Sequence, residues 1–373
     1  MPYYRIKLKP NGPFFIGQNS HARKSTAIVH SDVLHSALIC VSAITDPYWL
    51  NERVTNLKLS SIYPYYQEKG DKNNCRTIFL YPKPFVPSTT DDTDNESIKE
   101  SSPQKNEEQM DKKRWKKTKY VSEGLFKELL INKEITQSDQ VKHLDGLDQS
   151  KASVLCLEDE IKVLAKRPSK VVKENYKIST VIDRVDNQAT PFPQNFYEIN
   201  TDEGVGLWFL VELQENELDK FKKLLSTLGE LGLGGERTSG FGHFSVQSIE
   251  PFTSEYITEE NGILKVNQQD QPYNTAVTLS LYHPTKEEFE EGILTGSASY
   301  ECTVRGGWIH STAGYNSPKQ SIRMCIEGSI FPAIKGMPHG DVIDISYNQN
   351  PHPIYRSGLA FNIYFYHESK KEN

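Results

Sequence analysis

The chain has 373 residues, 36% of them hydrophobic and 25% charged, the balance of a soluble globular protein long enough for two compact domains. No stretch approaches the roughly 18 consecutive apolar residues of a membrane span, and Arg5, Lys7 and Lys9 interrupt any secretory signal core, so a cytoplasmic chain without membrane contact is expected. The net charge of −6 excludes a uniformly basic nucleic-acid binder and leaves only a segregated basic face open.

Tyr4, Ile6 and Leu8 alternate with Arg5, Lys7 and Lys9, which predicts a half-buried strand. After a turn-rich segment, Leu34, Ala37, Leu38 and Val41 fall on one helical face behind Ser31 as N-cap and Asp32 at the positive end of the helix dipole. Residues 88–119 are polar and nearly free of apolar side chains up to the run Lys112-Lys113-Arg114-Trp115-Lys116-Lys117. This reads as a disordered insertion whose basic end suits a phosphate backbone or plain solvent. Lys162, Lys166, Arg167, Lys170, Lys173 and Lys177 form a second basic stretch. The run from Gly206 to Leu213 predicts a buried strand, Leu218, Phe221, Leu225 and Leu228 a helix, and Phe244, Val246 and Ile249 another strand. Beyond that, strands are expected at Ala276–Tyr282, Ser299–Val304, Ile322–Phe331, Val342–Tyr347 and Leu359–Tyr366, with a short acidic helix carrying Phe289 and Ile293. Strands mixed with two helices per unit predict an α+β fold of two tandem ferredoxin-like, RRM-like βαββαβ domains with insertions. They would span 1–250 and 251–373, with the break in the turn-like stretch near 250–275. Cys40, Cys75, Cys156, Cys302 and Cys325 are scattered and never form a C-x-x-C pair, so isolated thiols are expected, with no metal site and no disulfide framework.

The most informative segment runs from Gly232 to Gly242. Gly232-Leu233-Gly234 and Gly240-Phe241-Gly242 bracket Gly235-Glu236-Arg237-Thr238-Ser239. Glycine permits positive φ and close approach, successive N–H groups can form an anion-binding nest, and Arg237, Thr238 and Ser239 supply charge and hydroxyl donors. No Gly-Lys-Ser/Thr ends the segment, and it follows a helix and precedes a strand, so neither a nucleotide P-loop nor a dinucleotide fingerprint fits.

This arrangement resembles the glycine-rich loop of the repeat-associated RAMP superfamily of CRISPR proteins. Further segments are similar to the subunit that caps the 5′ end of the guide RNA in type III-A (Csm) complexes. They are Val29 to Leu38, Arg305-Gly306-Gly307-Trp308, Ser321 to Ser329, Gly340-Asp341-Val342 and His352 to Phe361. The resemblance implies a non-catalytic subunit, without cofactor, that binds the repeat-derived 5′ handle of the crRNA. Its implied protein partners are the large polymerase/cyclase-like subunit and the first backbone RAMP subunit. A thumb-like insertion, expected at about 171–200 and containing Arg184, would lie near the target RNA. His30, Ser31, Arg305, Gly306, Trp308 and Arg356 join the loop residues Gly232, Gly234, Gly235, Arg237, Thr238, Ser239, Gly240, Phe241 and Gly242 as expected RNA contacts. Two alternatives stand beside this reading: a RAMP endoribonuclease drawing on His21, His30, His35 or Asp32, and a protein–protein adaptor.

Overall fold

The structure, a computed structural model, describes residues 1–17, 28–68, 76–86, 115, 117–132, 140–145, 153–268, 271–309, 317–347, 350 and 352–367. The insertion expected at 88–119 lies outside them apart from 115 and 117–119; His21 and Cys75 lie outside them altogether.

An eight-stranded sheet organises residues 3–251. Its order is Phe244–Pro251, Tyr3–Pro10, Val205–Glu212, Tyr63–Gln67, Thr77–Pro82, Tyr120–Ser122, Val154–Leu157 and Val141–His143. The first four pair antiparallel throughout. Numbered along the chain they stand in the order 4-1-3-2. The helix Ser31–Thr45 connects the first to the second, and the helix Leu218–Leu231 the third to the fourth. This is the ferredoxin-like βαββαβ unit. The remaining four strands extend its edge and belong to the long insertion between the second and third strands.

The alternation read in the sequence is what builds this layer. Ile6, Leu8, Phe209 and Val211 face the two helices and meet Leu34, Leu38, Val41, Phe221, Leu225 and Leu228, all buried. Each such fully buried side chain contributes about 1.5–3 kcal/mol. The strand Val205–Glu212 is apolar on both faces because it is central. Trp208 points to the other face, where its Nε1 donates to the carbonyls of Pro64 (3.0 Å) and Leu80 (3.2 Å).

The same insertion carries a separate two-stranded ribbon, Val172–Ile182 against Ala189–Ile199, paired along its full length. Its outer end contacts little, and Tyr176, Ile178, Ile182 and Val185 are exposed.

A second sheet holds Ile257–Glu260, Ile263–Val266, Asn362–Phe365, Thr275–Thr278 and Ile330–Pro332 in that order. Ser299 bridges to Ile330 at its edge, so the 4-1-3-2 order recurs. Here the helix count departs from expectation. Among the described residues after 251 only Lys286–Glu290 is helical; in place of a second helix lies the ribbon Val342–Asp344 with Tyr355–Ser357. Pro332, Gly336, Pro338 and Gly340 deny residues 332–340 a helical run. The expected strand Ile322–Phe331 is split into Ile322–Cys325 and Ile330–Pro332 by a turn at Gly328, whose φ is +87°. One hydrophobic cluster runs through both sheets, joining Tyr3, Trp208 and Val205 to Val277, Ile330 and Ile363. Among the described residues no helix is long and apolar enough to cross a membrane.

Candidate nucleic-acid interface

The helix Leu218–Leu231 stops at Gly232, which takes φ +82° while its N–H still reaches Leu228 O at 2.8 Å. Leu233 then drops into the helical core, fully buried. The two glycine triplets lie back to back, with Leu233 N–H donating to Gly242 O at 2.9 Å. Both rest on the segment after the first strand. Gly235 N–H donates to Phe15 O (2.9 Å), and Gly242 N–H to Pro13 O (2.7 Å). A Cβ at Gly242, where φ is +75°, would collide with the Leu233 backbone. All of these glycines but Gly240 are therefore spent on close packing. Gly232, Leu233, Gly235, Gly240, Phe241 and Gly242 all donate their N–H groups within the protein, so the expected anion nest gives way to a rigid platform.

On that platform Arg237–Ser239 form one 3-10 turn, closed by Gly240 at φ +83°. His243 Nε2 donates to Arg237 O at 3.1 Å. Thr238, Ser239 and Gly240 are exposed and Arg237 is half-buried. Phe241 lies beneath the turn. Its ring meets Phe196 of the ribbon edge-on at 5.3 Å, and Lys177 Nζ stands 4.5 Å above it. Lys177 also pairs with Glu236 at 3.5 Å, and Phe14 bridges to Tyr197. The root of the ribbon and the glycine loop thus form one surface. Arg184 sits in the exposed turn at the far end of the ribbon.

The start of the first helix is placed differently from the sequence expectation. Its N-cap is His30, without a side-chain cap, and Ser31 is the first helical residue. His30 and Ser31, expected at the RNA surface, are buried. His30 Nδ1 lies 2.7 Å from Glu327 Oε1, and Ser31 Oγ accepts from Leu281 N–H at 3.0 Å. Asp32, 1% exposed, receives both Nε and Nη2 of Arg305 at 3.1 Å, and Arg356 Nη1 as well. Arg356 Nη2 donates onward to Gly306 O at 2.7 Å. Burial alone would push the Asp32 carboxyl up; Arg305 and Arg356 overcome this and hold it well below the usual range. His30 likewise holds the buried Glu327 below its ordinary value. Arg305 and Arg356 were also expected at the RNA surface. Their guanidiniums are enclosed and committed to Asp32, so they brace the helix start instead. Gly306 serves that brace through its carbonyl, while Trp308 is 55% exposed two residues further on.

Two cations supply what the sequence reading missed. Lys319 follows the bridge between Trp308 and Pro318, and its N–H donates to Gly307 O at 2.8 Å. Its ammonium stands beside Arg356, Asp32, Cys40 and Arg305, and burial lowers its pKa. Asp32 already serves two arginines, so one acid faces three cations and a positive surplus remains. Among the described residues Lys319 has no ion-pair partner. Arg237 acts on the same Cys40, near the end of the first helix. Lys319 stands alone in its stretch of sequence, which carries no signal for it. Lys177 lies in the second basic stretch, but nothing in sequence ties it to Phe241. Trp115 of the first basic run packs partly buried on the core, with Lys83 Nζ 4.9 Å from its ring.

Of the residues an RNase would draw on, His30 and His35 are buried and Asp32 is occupied, while His21 lies outside the described residues. Burial lowers the His35 imidazole to about 4.

Comparison with known proteins agrees with this geometry. A model of the RAMP superfamily matches residues 69–245, and a model of the CRISPR Csm4 C-terminal domain matches residues 271–365. A Csm4 protein of the CRISPR system of Methanocaldococcus jannaschii is 26% identical over 366 residues, which cover 91% of this chain and 88% of that protein. A Csm4 protein of Mycobacterium tuberculosis is 29% identical over 198 residues, 52% of this chain and 58% of its own length. The solved Csm3–Csm4 subcomplex of a type III-A CRISPR–Cas interference complex contains a chain that matches with a TM-score of 0.59 at 20% identity, over 97% of this chain and 98% of that one.

Proposed function

The chain belongs to the RAMP superfamily as a subunit of the type III-A Csm effector complex in CRISPR defence, and from that premise we propose that it binds the crRNA 5′ handle without cleaving it. The observation that carries this reading is the single surface on which the exposed turn Arg237–Ser239 meets the root of the ribbon. Arg237 and Lys319 supply phosphate contacts, Thr238 and Ser239 hydroxyl donors, and Trp308 a face for a base to stack on. The ribbon Val172–Ile199 is the thumb, reaching with Arg184 toward the target RNA. The acidic remainder of the surface meets protein neighbours, the large polymerase/cyclase-like subunit and the first backbone subunit. This division resolves the conflict between a net charge of −6 and RNA binding.

The test is binding of a repeat-handle RNA and a scrambled control to the purified chain, alone and with its large-subunit partner, across a salt series. Arg237→Ala and Lys319→Ala should each weaken handle binding about tenfold, the value of one charged contact, and reduce the salt slope by about one. Equal binding of handle and scrambled RNA in both states would overturn the reading in favour of an adaptor. RNA fragments on a gel would restore the endoribonuclease.

A further inference from the structure

Cys302 and Cys325 face each other in register across the short strands Cys302–Arg305 and Ile322–Cys325, with their sulfurs 4.0 Å apart. The kind of pair they form follows from the main chain. Cys325 exchanges both of its hydrogen bonds with Tyr282 on the opposite side, at 2.8 and 3.0 Å. A strand residue points its N–H and C=O to the same edge, so the edge facing Cys302 carries neither. The neighbouring bond from Ile326 N–H to Glu301 O, 3.0 Å, has the phase this requires. The two cysteines are a non-hydrogen-bonded pair, the closer kind, with Cα atoms about 4.5 Å apart. That lies inside the range of roughly 4.4–6.8 Å that a disulfide spans.

The two thiols live in different surroundings. Cys302 is exposed, while Cys325 is enclosed with Tyr282, Ile293, Phe331 and Ala360. An oxidant arriving from solvent therefore meets Cys302 first, and the sulfur best placed to resolve the product is Cys325.

We propose that Cys302 and Cys325 form a reversible oxidation site that closes a disulfide on exposure to a peroxide. The Cys302 thiolate attacks one peroxide oxygen and the O–O bond breaks. The departing hydroxide takes the proton the thiol had released and leaves as water. The Cys325 thiol then attacks the sulfenic sulfur and the S–O bond breaks. The hydroxyl leaves with the Cys325 proton as a second water. Two electrons pass from the thiols to the peroxide, and a dithiol reductant reverses the step.

The disulfide would clip together the two strands next to Trp308, which follows one of them, and Lys319, which precedes the other. Oxidation thereby regulates RNA binding; this consequence rests on the function proposed above, whereas the oxidation site itself does not.

The experiment treats the full chain with hydrogen peroxide, blocks remaining thiols and maps peptides without reduction. The expected product is a Cys302–Cys325 cross-linked peptide, lost on adding dithiothreitol and absent from Cys302→Ser. Cys302 is exposed, so this variant should fold as the parent does. A sulfinic acid at Cys302, a cross-link from Cys302 to another cysteine, or free thiols at both positions overturns the site. Handle-RNA affinity is then measured on both forms, with a several-fold change on oxidation expected in the parent and none in Cys302→Ser. A confirmed cross-link with unchanged RNA affinity overturns the regulation alone. If neither form prefers handle RNA, the RNA-binding reading fails while the cross-link result stands.

Discussion

Asp32 is an acid deprived of water, and two arginines make that tolerable. Removing its charge leaves two enclosed guanidiniums facing each other. Asp32→Asn should cost about 3–5 kcal/mol, read as a lower urea midpoint in a cooperative unfolding curve. His35 makes a separate prediction. Its imidazole is pushed down from 6.5 to about 4 by burial. Between those values the unfolded chain binds a proton that the folded chain refuses, so stability is whole above about 6.5 and falls as pH drops toward about 4. The loss reaches on the order of 3 kcal/mol. A His35→Gln variant should show a smaller drop in urea midpoint between neutral and acid pH than the parent. An equal drop would assign acid sensitivity elsewhere. That Asp32 braces the fold was legible from its place in a helix start. Its partners were not, because Arg305 and Arg356 stand 273 and 324 positions away and no local pattern connects them. Ser31 looked like an N-cap, yet its hydroxyl is drawn off to Leu281 N–H.

At the scale of elements, the glycine loop separates two roles that one residue type can play. Gly242 combines a positive φ with backbone packed against it; Gly240 has the positive φ in open space. Gly240→Ala should therefore cost about 1 kcal/mol, the price of the backbone conformation, and Gly242→Ala at least about 2 kcal/mol because the loop must also move. Thermal unfolding of both variants checks the order, and a reversed order would contradict the packing described here. In the first 4-1-3-2 unit, Tyr3–Pro10 was legible from its period of two, the two helices from their helical spacing and Val205–Glu212 from its unbroken apolar run, whereas Tyr63–Gln67 was not read, because its first four residues are all buried and show no alternation. The C-terminal unit was harder. Its strands run three to four residues, too short for a period to show, and Glu327 leaves the expected long strand to meet His30.

At the scale of the whole molecule, the two sheets share their interior. Ser61 N–H donates to Leu279 O at 2.8 Å, Tyr63 Oη to the same carbonyl at 2.7 Å, and Tyr3 Oη to Gly262 O at 2.9 Å. We propose the division at residues 250–251 as one of sequence; the energetics are joint. A fragment ending at Pro251 would lose the partners of His30, Ser31 and Asp32 and expose the apolar face around Tyr3 and Val205. It should bind a hydrophobic dye strongly and unfold without cooperativity. A sharp, dye-free transition would show that the first unit is self-sufficient.

The brace around Asp32 also has a consequence for the order in which the molecule can be made. A ribosome releases Asp32 long before Arg356, which follows it by 324 positions. Until the last of the three has emerged, the first helix lacks part of its anchor. The first helix is thus finished by the last arginine of the chain, and a nascent or prematurely ended chain never completes the brace around Asp32.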